Sequence, residues 1–417
     1  MSEKLIIHGG VPLSGKLKIG GSKNSVLPIL CAAALVDGRC TIQNCPDISD
    51  VRNTFSIIEH LGGKSEFCGN TAEIDALGLC GTEIPAEYMD KLRSSVLFMG
   101  ALLARHGRAV LSAPGGCAIG KRAIDFHLNA FRKLGATVEE DNCRIVCTAP
   151  DGLVGAKIRL SFPSVGATEN ILLAAVTARG TTVIRGAARE PEIVDLIDFL
   201  NSCGARIFGG GTSRITIHGV SKLHAATHRV IPDRIVAATY MCAVVATRGK
   251  ATFVGLDADH LSPLIKVFKR AGVLVRPLTK SVIYMNAEAP ISGFGRIKTA
   301  PYPKFPTDMA PCLMSAALLC DGKTTFVETI FENRFMHVPQ LLKTGANIRV
   351  KRKKAVVTGV PRLFHASMNC SDLRGGAAAI IAALATNEKS EVSNLAHIHR
   401  GYEDIARDMR ILGAQIS

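Results

Sequence analysis

The sequence predicts an α/β protein of two inverse, barrel-like domains, each made of three repeated units with helices inside and sheets outside. Two recurrences carry that reading. A helix-ending glycine, in the form Leu-Gly-Ala or a close variant, stands at positions 62, 135, 204, 272, 345 and 413, spaced by 73, 69, 68, 73 and 68 residues. Independently, an Ala-rich helix followed by glycine and a β-branched strand appears at 32–42, 100–111, 173–184, 242–253 and 314–326. The sixth copy, Ala379 to Val392, has Asn387 where the others have Gly38, Gly107, Gly180, Gly249 and Gly322. Because Asn tolerates positive φ, a left-handed turn is expected there too. Units of this length are too long for a solenoid repeat and suit two pseudo-threefold domains. The Ala-rich helices are apolar nearly all round, so they belong in the interior with the strands wrapped around them.

The composition supports full cores and narrows the partners. The chain has 417 residues, 47% of them hydrophobic, enough for two domains. Its N-terminus enters a strand-like run with no secretory signal pattern. The longest apolar runs, such as Cys312 to Cys320, fall short of the ~18 residues that a membrane span needs. The 13 cysteines include no C-x-x-C pair, which points to a reducing, cytoplasmic setting. A formal charge of +15 and a pI near 9.4 call for an anionic partner: nucleic acid, a membrane surface or a phosphorylated metabolite. The densest basic run, Arg349 to Lys354, lies between two strand-like stretches and reads as a solvated hairpin tip. Aromatic residues make up only 5%, with no Trp, so the stacking surfaces of single-strand binders are poorly supplied.

The residues just ahead of each Ala-rich helix should occupy equivalent places at one end of a domain, and polar residues gather there. Counted back from the marker residue, Lys23 and Asn24, Arg93, Arg234, Asp308 and Arg374 all fall 13 to 15 positions upstream. The third copy has Ser164-Val165-Gly166-Ala167-Thr168 in that slot, uncharged but rich in backbone N–H groups. Helix starts already attract anions through their unpaired N–H groups and dipole. Cations added there suit an anionic ligand better than they suit the helix, and two domains turning these ends together would form a basic cleft for phosphates.

Cys117 stands apart from the other cysteines, twelve of which lie in or beside apolar stretches and read as core packing. It sits in Pro114-Gly115-Gly116-Cys117-Ala118-Ile119-Gly120-Lys121-Arg122, on a glycine-rich loop with two cations following, the setting of a reactive thiol.

Taken in order, Gly21-Ser22-Lys23-Asn24, the Cys117 loop, Ala188-Arg189-Glu190-Pro191-Glu192, Phe305-Pro306-Thr307-Asp308-Met309, Phe331 to His337 and Arg400-Gly401-Tyr402-Glu403 resemble the UDP-N-acetylglucosamine 1-carboxyvinyltransferases, a family of enolpyruvyl transferases, from end to end. The resemblance implies that the chain crosses between domains twice, so that 1–21 joins 232–417 and 22–231 forms the other half, with the active site in the cleft. It implies addition of the sugar nucleotide's 3′-hydroxyl to C2 of phosphoenolpyruvate, protonation at C3 and loss of phosphate, a step of peptidoglycan precursor synthesis. Lys23, Arg122 and Arg400 match the family's phosphate and carboxylate contacts, with Arg334 and Arg374 completing the basic cluster, and guanidinium geometry suits both anions. Asp308 matches the base for the hydroxyl; without the family it reads as a helix N-cap after Pro306-Thr307. Cys117 matches the general acid and the site of a covalent phosphoenolpyruvate adduct. Its neighbouring cations favour thiolate, so the bound dianion is expected to neutralise them and restore the proton, while the flanking glycines let the loop close as a lid.

For the nucleotide sugar, Arg93, the segment Arg122 to Phe126 with Ile124 and Asp125, and Ser164, Val165 and Gly166 match uridine and diphosphate contacts, while Asn24, Asp308 and Ile330 match contacts to the sugar. Ala123 and Phe126 replace the family's usual Pro and Leu, and His399 stands where Asp is frequent and adds positive charge. No cofactor or metal is implied. The expected partners are small molecules, not nucleic acid or membrane, and the oligomeric state is left open. The competing readings are the sister transferase acting on shikimate 3-phosphate, which lacks the Gly-Gly-Cys lid, and a basic nucleic-acid binder on the same repeat.

Overall fold

A computed structural model describes residues 3–91, 93–112, 124–141 and 144–417. One compact unit comprises Met1–Gly20 and Pro232–Ser417, and the other draws its described residues from Gly21–Ile231. Among the described residues, each unit has three buried helices and three four-stranded sheets.

All six sheets share one topology. In the sheet built around Thr181–Arg185, the short strand Lys157–Arg159 pairs parallel on one side, Arg214–His218 pairs antiparallel on the other, and Arg206–Phe208 closes the far edge. Strand sequences explain which face is covered. In Arg39–Gln43 the alternate residues Cys40 and Ile42 are fully buried while their neighbours reach solvent, the period-two pattern of a sheet packed on one face.

The order of pairing shows how the chain passes between units. Ser14–Lys18 lies parallel to Lys250–Val254 in the first unit, and Thr227–Arg229 lies parallel to Arg39–Gln43 in the second. The N-terminal strand Lys4–His8 is inserted between Lys389–Ser393 and Gln415–Ile416, antiparallel to both. The sixth repeat is therefore completed by the chain's first strand.

The helices Lys23–Ala33, Phe98–His106 and Val165–Ala175 occupy the interior of one unit, and Arg234–Ala246, Ala310–Ala316 and Leu373–Leu384 that of the other. Every residue from Arg374 to Leu384 is buried. Small side chains permit this: a Cβ on Gly100 would lie 2.4 Å from the Asn170 side-chain oxygen and 2.5 Å from its carbonyl oxygen, so only glycine lets the two helices approach so closely. A second, outer helix in each repeat stops at one of the six recurring glycines, all with φ between +79° and +97°, the left-handed closure that the sequence pattern predicts.

The second marker does not hold throughout. Gly249 and Asn387 are not left-handed; Arg248, one residue earlier, has φ +55° instead. At Asn387 the reason is the inserted N-terminal strand. Gly10 N–H donates to Leu384 O at 3.1 Å and Gly9 N–H to Glu388 O at 3.3 Å, so the helix end is satisfied by incoming chain rather than by a local turn. Two cysteines also depart from the core reading: Cys68 and Cys80 are exposed, Cys68 because it ends an outer strand beside a Gly69 turn. The basic run at 349–354 is a hairpin tip, with Lys351 facing Lys354 across the ladder. Among the described residues, no helix is long and apolar enough to cross a membrane.

Candidate functional site

In the unit containing 232–417, the segments ahead of the three buried helices carry charged side chains into contact. Asp308 lies in a 3-10 turn, Thr307–Met309, that runs directly into the Ala310–Ala316 helix. Its carboxylate meets two guanidinium groups. Arg334 donates to Asp308 Oδ1 at 2.9 Å, and Arg374 stands 3.8 Å from Oδ2. The two arginine side chains are 3% and 5% exposed, against 31% for Asp308. The aspartate is thus the solvent-facing member of a largely buried ionic triad.

Each arginine is fixed from a second direction. Arg334 also donates to the Thr307 carbonyl at 3.0 and 3.2 Å, which locks it to the turn that carries Asp308. Thr307 Oγ1 donates to Glu328 Oε2 at 2.9 Å, and the other oxygen of Glu328 accepts from Ile330 N–H at 2.6 Å and Phe331 N–H at 3.1 Å. The buried Glu328 therefore ties the Ile330 backbone to the Asp308 turn. Arg374 donates to Tyr402 Oη at 3.3 Å, and Tyr402 in turn meets the Thr239 hydroxyl at 2.8 Å. Arg400 lies in the turn two residues before Tyr402 and is half-buried.

Charge balance makes this end less basic than a count of cations suggests. Asp233 accepts from the N–H groups of Ile235 and Val236, and Asp372 from those of Arg374 and Gly375. These caps occupy the helix-start N–H groups that the sequence reading offered to a ligand. Burial is the largest influence on Arg374 and works against its charge, yet Tyr402, Asp308 and Asp233 together outweigh it and raise its pKa. Burial pushes the Tyr402 hydroxyl well up as well. His337, wholly buried nearby, is pushed down to about 4, first by burial and further by Arg334, with Asp372 opposing.

The other unit uses different chemistry at the same places. Lys23 opens its helix with Nζ 2.6 Å from the buried Asp50 carboxylate. Ser25 donates to Asp195, which also accepts from Ile231 N–H at 3.2 Å and contacts His228 at 2.9 Å. Asn24 is the second residue of that helix and half-buried. Ser164 caps the Val165–Ala175 helix by accepting from Ala167 N–H at 3.3 Å. Gly166 lies against the imidazole of His127, where an added Cβ would stand 3.4 Å from Cε1.

Asn170 joins these segments. Its amide nitrogen donates to Val96 O at 2.9 Å and approaches His127 Nδ1 at 2.9 Å, while its oxygen accepts from Gly100 N–H at 2.8 Å. Through it the Arg93–Leu97 turn, the Ile124–Asp125 helix start and Ser164-Val165-Gly166 share one hub. Asn170, His127, Tyr402, Thr307, Glu328 and the capping aspartates were not singled out from sequence. Tyr402 lay inside a recognised motif, and an Asp just ahead of each arginine was a readable capping signal; Asn170 in an Ala-rich helix gave none.

Cys117 and Arg122, with Ala123, lie outside the described residues, as does the side chain of Arg93. Phe126 is half-buried against the hydrophobic core. His399 does not stand as an added isolated charge, since its Nε2 lies 2.9 Å from the Glu3 carboxylate. No cluster of three or more potential metal ligands occurs among the described residues.

Comparison with known proteins places this geometry in context. The family model described as EPSP synthase (3-phosphoshikimate 1-carboxyvinyltransferase) matches residues 7–409. A UDP-N-acetylglucosamine 1-carboxyvinyltransferase 2 of Caldanaerobacter subterraneus is 45% identical, covering 99% of both chains. A UDP-N-acetylglucosamine 1-carboxyvinyltransferase 1 of Staphylococcus aureus is 42% identical with the same coverage. Among solved structures, the enolpyruvyl transferase NikO from Streptomyces tendae superposes with a TM-score of 0.90 at 27% identity, covering 100% of this chain and 99% of its own. EPSP synthase from Acinetobacter baumannii shares the fold at TM-score 0.75 and 17% identity, covering 99% of each chain.

Proposed function

This chain belongs to the EPSP synthase (3-phosphoshikimate 1-carboxyvinyltransferase) family, and we propose that it transfers the enolpyruvyl group of phosphoenolpyruvate to the 3′-hydroxyl of UDP-N-acetylglucosamine. Phosphate is released, and the product feeds peptidoglycan synthesis in the cytoplasm. The observation that carries the chemistry is the Asp308 carboxylate, partly open to solvent and held by two buried guanidinium groups. Relatives at 42–45% identity across the chain support the choice of acceptor.

In the first half-reaction the hydroxyl oxygen bonds to C2 of phosphoenolpyruvate, its proton passes to Asp308, and C3 gains a proton from Cys117. In the second, C3 gives up a proton, the C2–O bond to phosphate breaks and the double bond re-forms. Lys23, Arg122, Arg374 and Arg400 serve the phosphate and carboxylate, for which several cations are needed around a three-carbon frame. Arg334 holds Asp308 in place. Arg93, Ile124, Asp125, Ser164, Val165 and Gly166 serve the nucleotide, and Asn24 and Ile330 the sugar. The 1–21 and 232–417 segments are read as one domain and 22–231 as the other.

Phosphate release from phosphoenolpyruvate distinguishes the acceptors. UDP-N-acetylglucosamine should support turnover and 3-phosphoshikimate should not; the reverse result would overturn the reading. Following the Cys117 thiol by its ultraviolet absorbance, with and without phosphoenolpyruvate, tests the acid. Its pKa should rise on binding, and a fall would remove Cys117 from that role.

A further inference from the structure

A separate cavity of 530 Å³ lies on the unit containing 232–417, between the outer helix Ser262–Arg270 and the edge strand Gly295–Lys298. Lys266, Lys269 and Arg270 line it from the helix, and Arg296 and Lys298 from the strand. None of its lining residues is a carboxylate. All five cations are exposed, and among the described residues none of them forms a hydrogen bond or ion pair. Between the cations the wall is apolar, formed by Pro263, Val267, Ile297 and Phe305.

The repeat supplies an internal control for whether the fold itself requires this charge. In four of the other five repeats the outer helix and the following edge strand carry at least one carboxylate, as with Asp125 in Asp125–Lys133 or Asp408 in Ile405–Ile411. The fifth pairing, Val338–Leu342 with Ser367–Asn369, carries no charge at all. Two of the five are basic as well, Asp125–Lys133 with Lys157–Arg159 and Ile405–Ile411 with Ser14–Lys18, each setting four cations against one carboxylate; the pairing of Ser262–Arg270 with Gly295–Lys298 differs in setting five cations against none. Lys269 and Arg270 lie in the last turn, where cations suit the helix dipole, but Lys266, three and four residues before them, adds a like charge that opposes helix formation.

The cavity is an open groove in which five cations surround a small apolar strip, a surface that suits a small anionic molecule. We propose that it binds a small polyphosphate carried on an apolar ring, the chemistry of a nucleoside di- or triphosphate, with the phosphates among the five cations and the ring against Val267, Ile297 and Phe305. This site is additional to the transferase reading. None of its residues belongs to the Asp308 cluster.

The probe is ADP, titrated calorimetrically into the full chain with UDP-N-acetylglucosamine held at one equivalent, enough for its own site but too little to fill a second. The comparison is with a Lys266→Glu, Arg296→Glu double variant, whose melting temperature and basal phosphate release should match the parent because both positions are exposed. The parent should bind one ADP, and the variant should bind it at least about tenfold more weakly, since charge reversal replaces attraction by repulsion. Inorganic pyrophosphate should bind the parent more weakly than ADP, because it lacks a group for the apolar wall. Equal ADP binding by parent and variant overturns the site, and equal binding of pyrophosphate and ADP overturns the nucleotide class. Loss of binding to a single-stranded RNA oligonucleotide alone, with no ADP binding by the parent, overturns it in favour of a nucleic-acid surface. The parent-to-variant difference does not depend on UDP-N-acetylglucosamine occupying its own site, so failure here is distinct from failure of the transferase reading.

Discussion

In the unit formed by 232–417, the turns ahead of the buried helices hold Asp233, Asp308 and Asp372 among Arg234, Arg334 and Arg374. In the unit formed by 21–231, an uncharged amide, Asn170, links the corresponding turns, with ion pairing at Lys23 and Asp50. A buried ionic cluster can accept protons and hold anions, but desolvation makes it costly to keep. An amide hub fixes several backbones at once without that cost, provided every bond is made. The repeat therefore supplies six equivalent helix starts, and their side chains differ: an ionic cluster in one unit and an amide hub in the other.

The largest effect should come from breaking the ionic side at its exposed member. Asp308→Asn preserves shape and hydrogen-bonding capacity toward Arg334 but removes the carboxylate proposed as the base, and kcat should fall by ~10²–10⁴, the usual contribution of a positioned base. Single-turnover phosphate release measures this. Activity within a factor of about three of the parent would place the base elsewhere.

How much of this division was readable beforehand differs between the two sides. The helix-ending glycines announced six repeats because a left-handed closure restricts residue choice strongly. Lys23, Arg234, Arg374 and Asp308 were readable because charges ahead of apolar helices are conspicuous. Their pairing was not, since Arg334 and Arg374 reach Asp308 from two other segments of the chain and linear spacing contains nothing of that contact. The capping by Asp233 and Asp372 was legible as an acid just ahead of an apolar helix, but the arginines beside them suit an anionic ligand at the same helix starts, and spacing alone does not choose between the two. Asn170 could not be found at all, because a single Asn in an alanine-rich helix looks like a surface residue until neighbouring helices bury it.

The two sides should also respond oppositely to pH. Glu169, buried on the Val165–Ala175 helix, has its pKa raised to about 8, mainly by burial and then by Glu192 and Glu190. The unfolded chain releases that proton near 4.3. Between these values the folded state holds the extra proton, so its contribution favours folding at low pH and is lost as pH rises toward 8, by up to ~1.4 kcal/mol per unit. His337, with its pKa lowered to about 4, behaves conversely: the unfolded chain takes up the proton below about 6.5, so stability is lost as pH falls from there toward 4. Melting temperatures measured from pH 4.5 to 8 should show Glu169→Gln flattening the alkaline fall and His337→Gln flattening the acid one. Identical slopes in parent and variants would remove both groups from the pH response.

Smaller effects test whether the amide hub positions rather than reacts. Asn170→Ala strands the Gly100 N–H and the Val96 carbonyl in the interior, which should cost ~1–3 kcal/mol of stability and raise KM for the sugar nucleotide more than it lowers kcat. A fall in kcat with unchanged KM would mean that the hub acts on the chemical step itself.

Tyr402→Phe should have the least effect, because the hydroxyl touches Arg374 and Thr239 but not Asp308. Losing both contacts removes roughly 1 kcal/mol of hydrogen bonding, while the ring still lies beside the guanidinium, whose centre is 5.8 Å from the ring centroid. If Tyr402 only steadies Arg374, KM for phosphoenolpyruvate should rise by a factor of about five, the equivalent of that energy, with the pH profile of kcat unmoved. A shifted pH profile would instead make the phenol part of the proton path, and the ionic side would then extend one residue deeper than the Asp308–Arg374 pair.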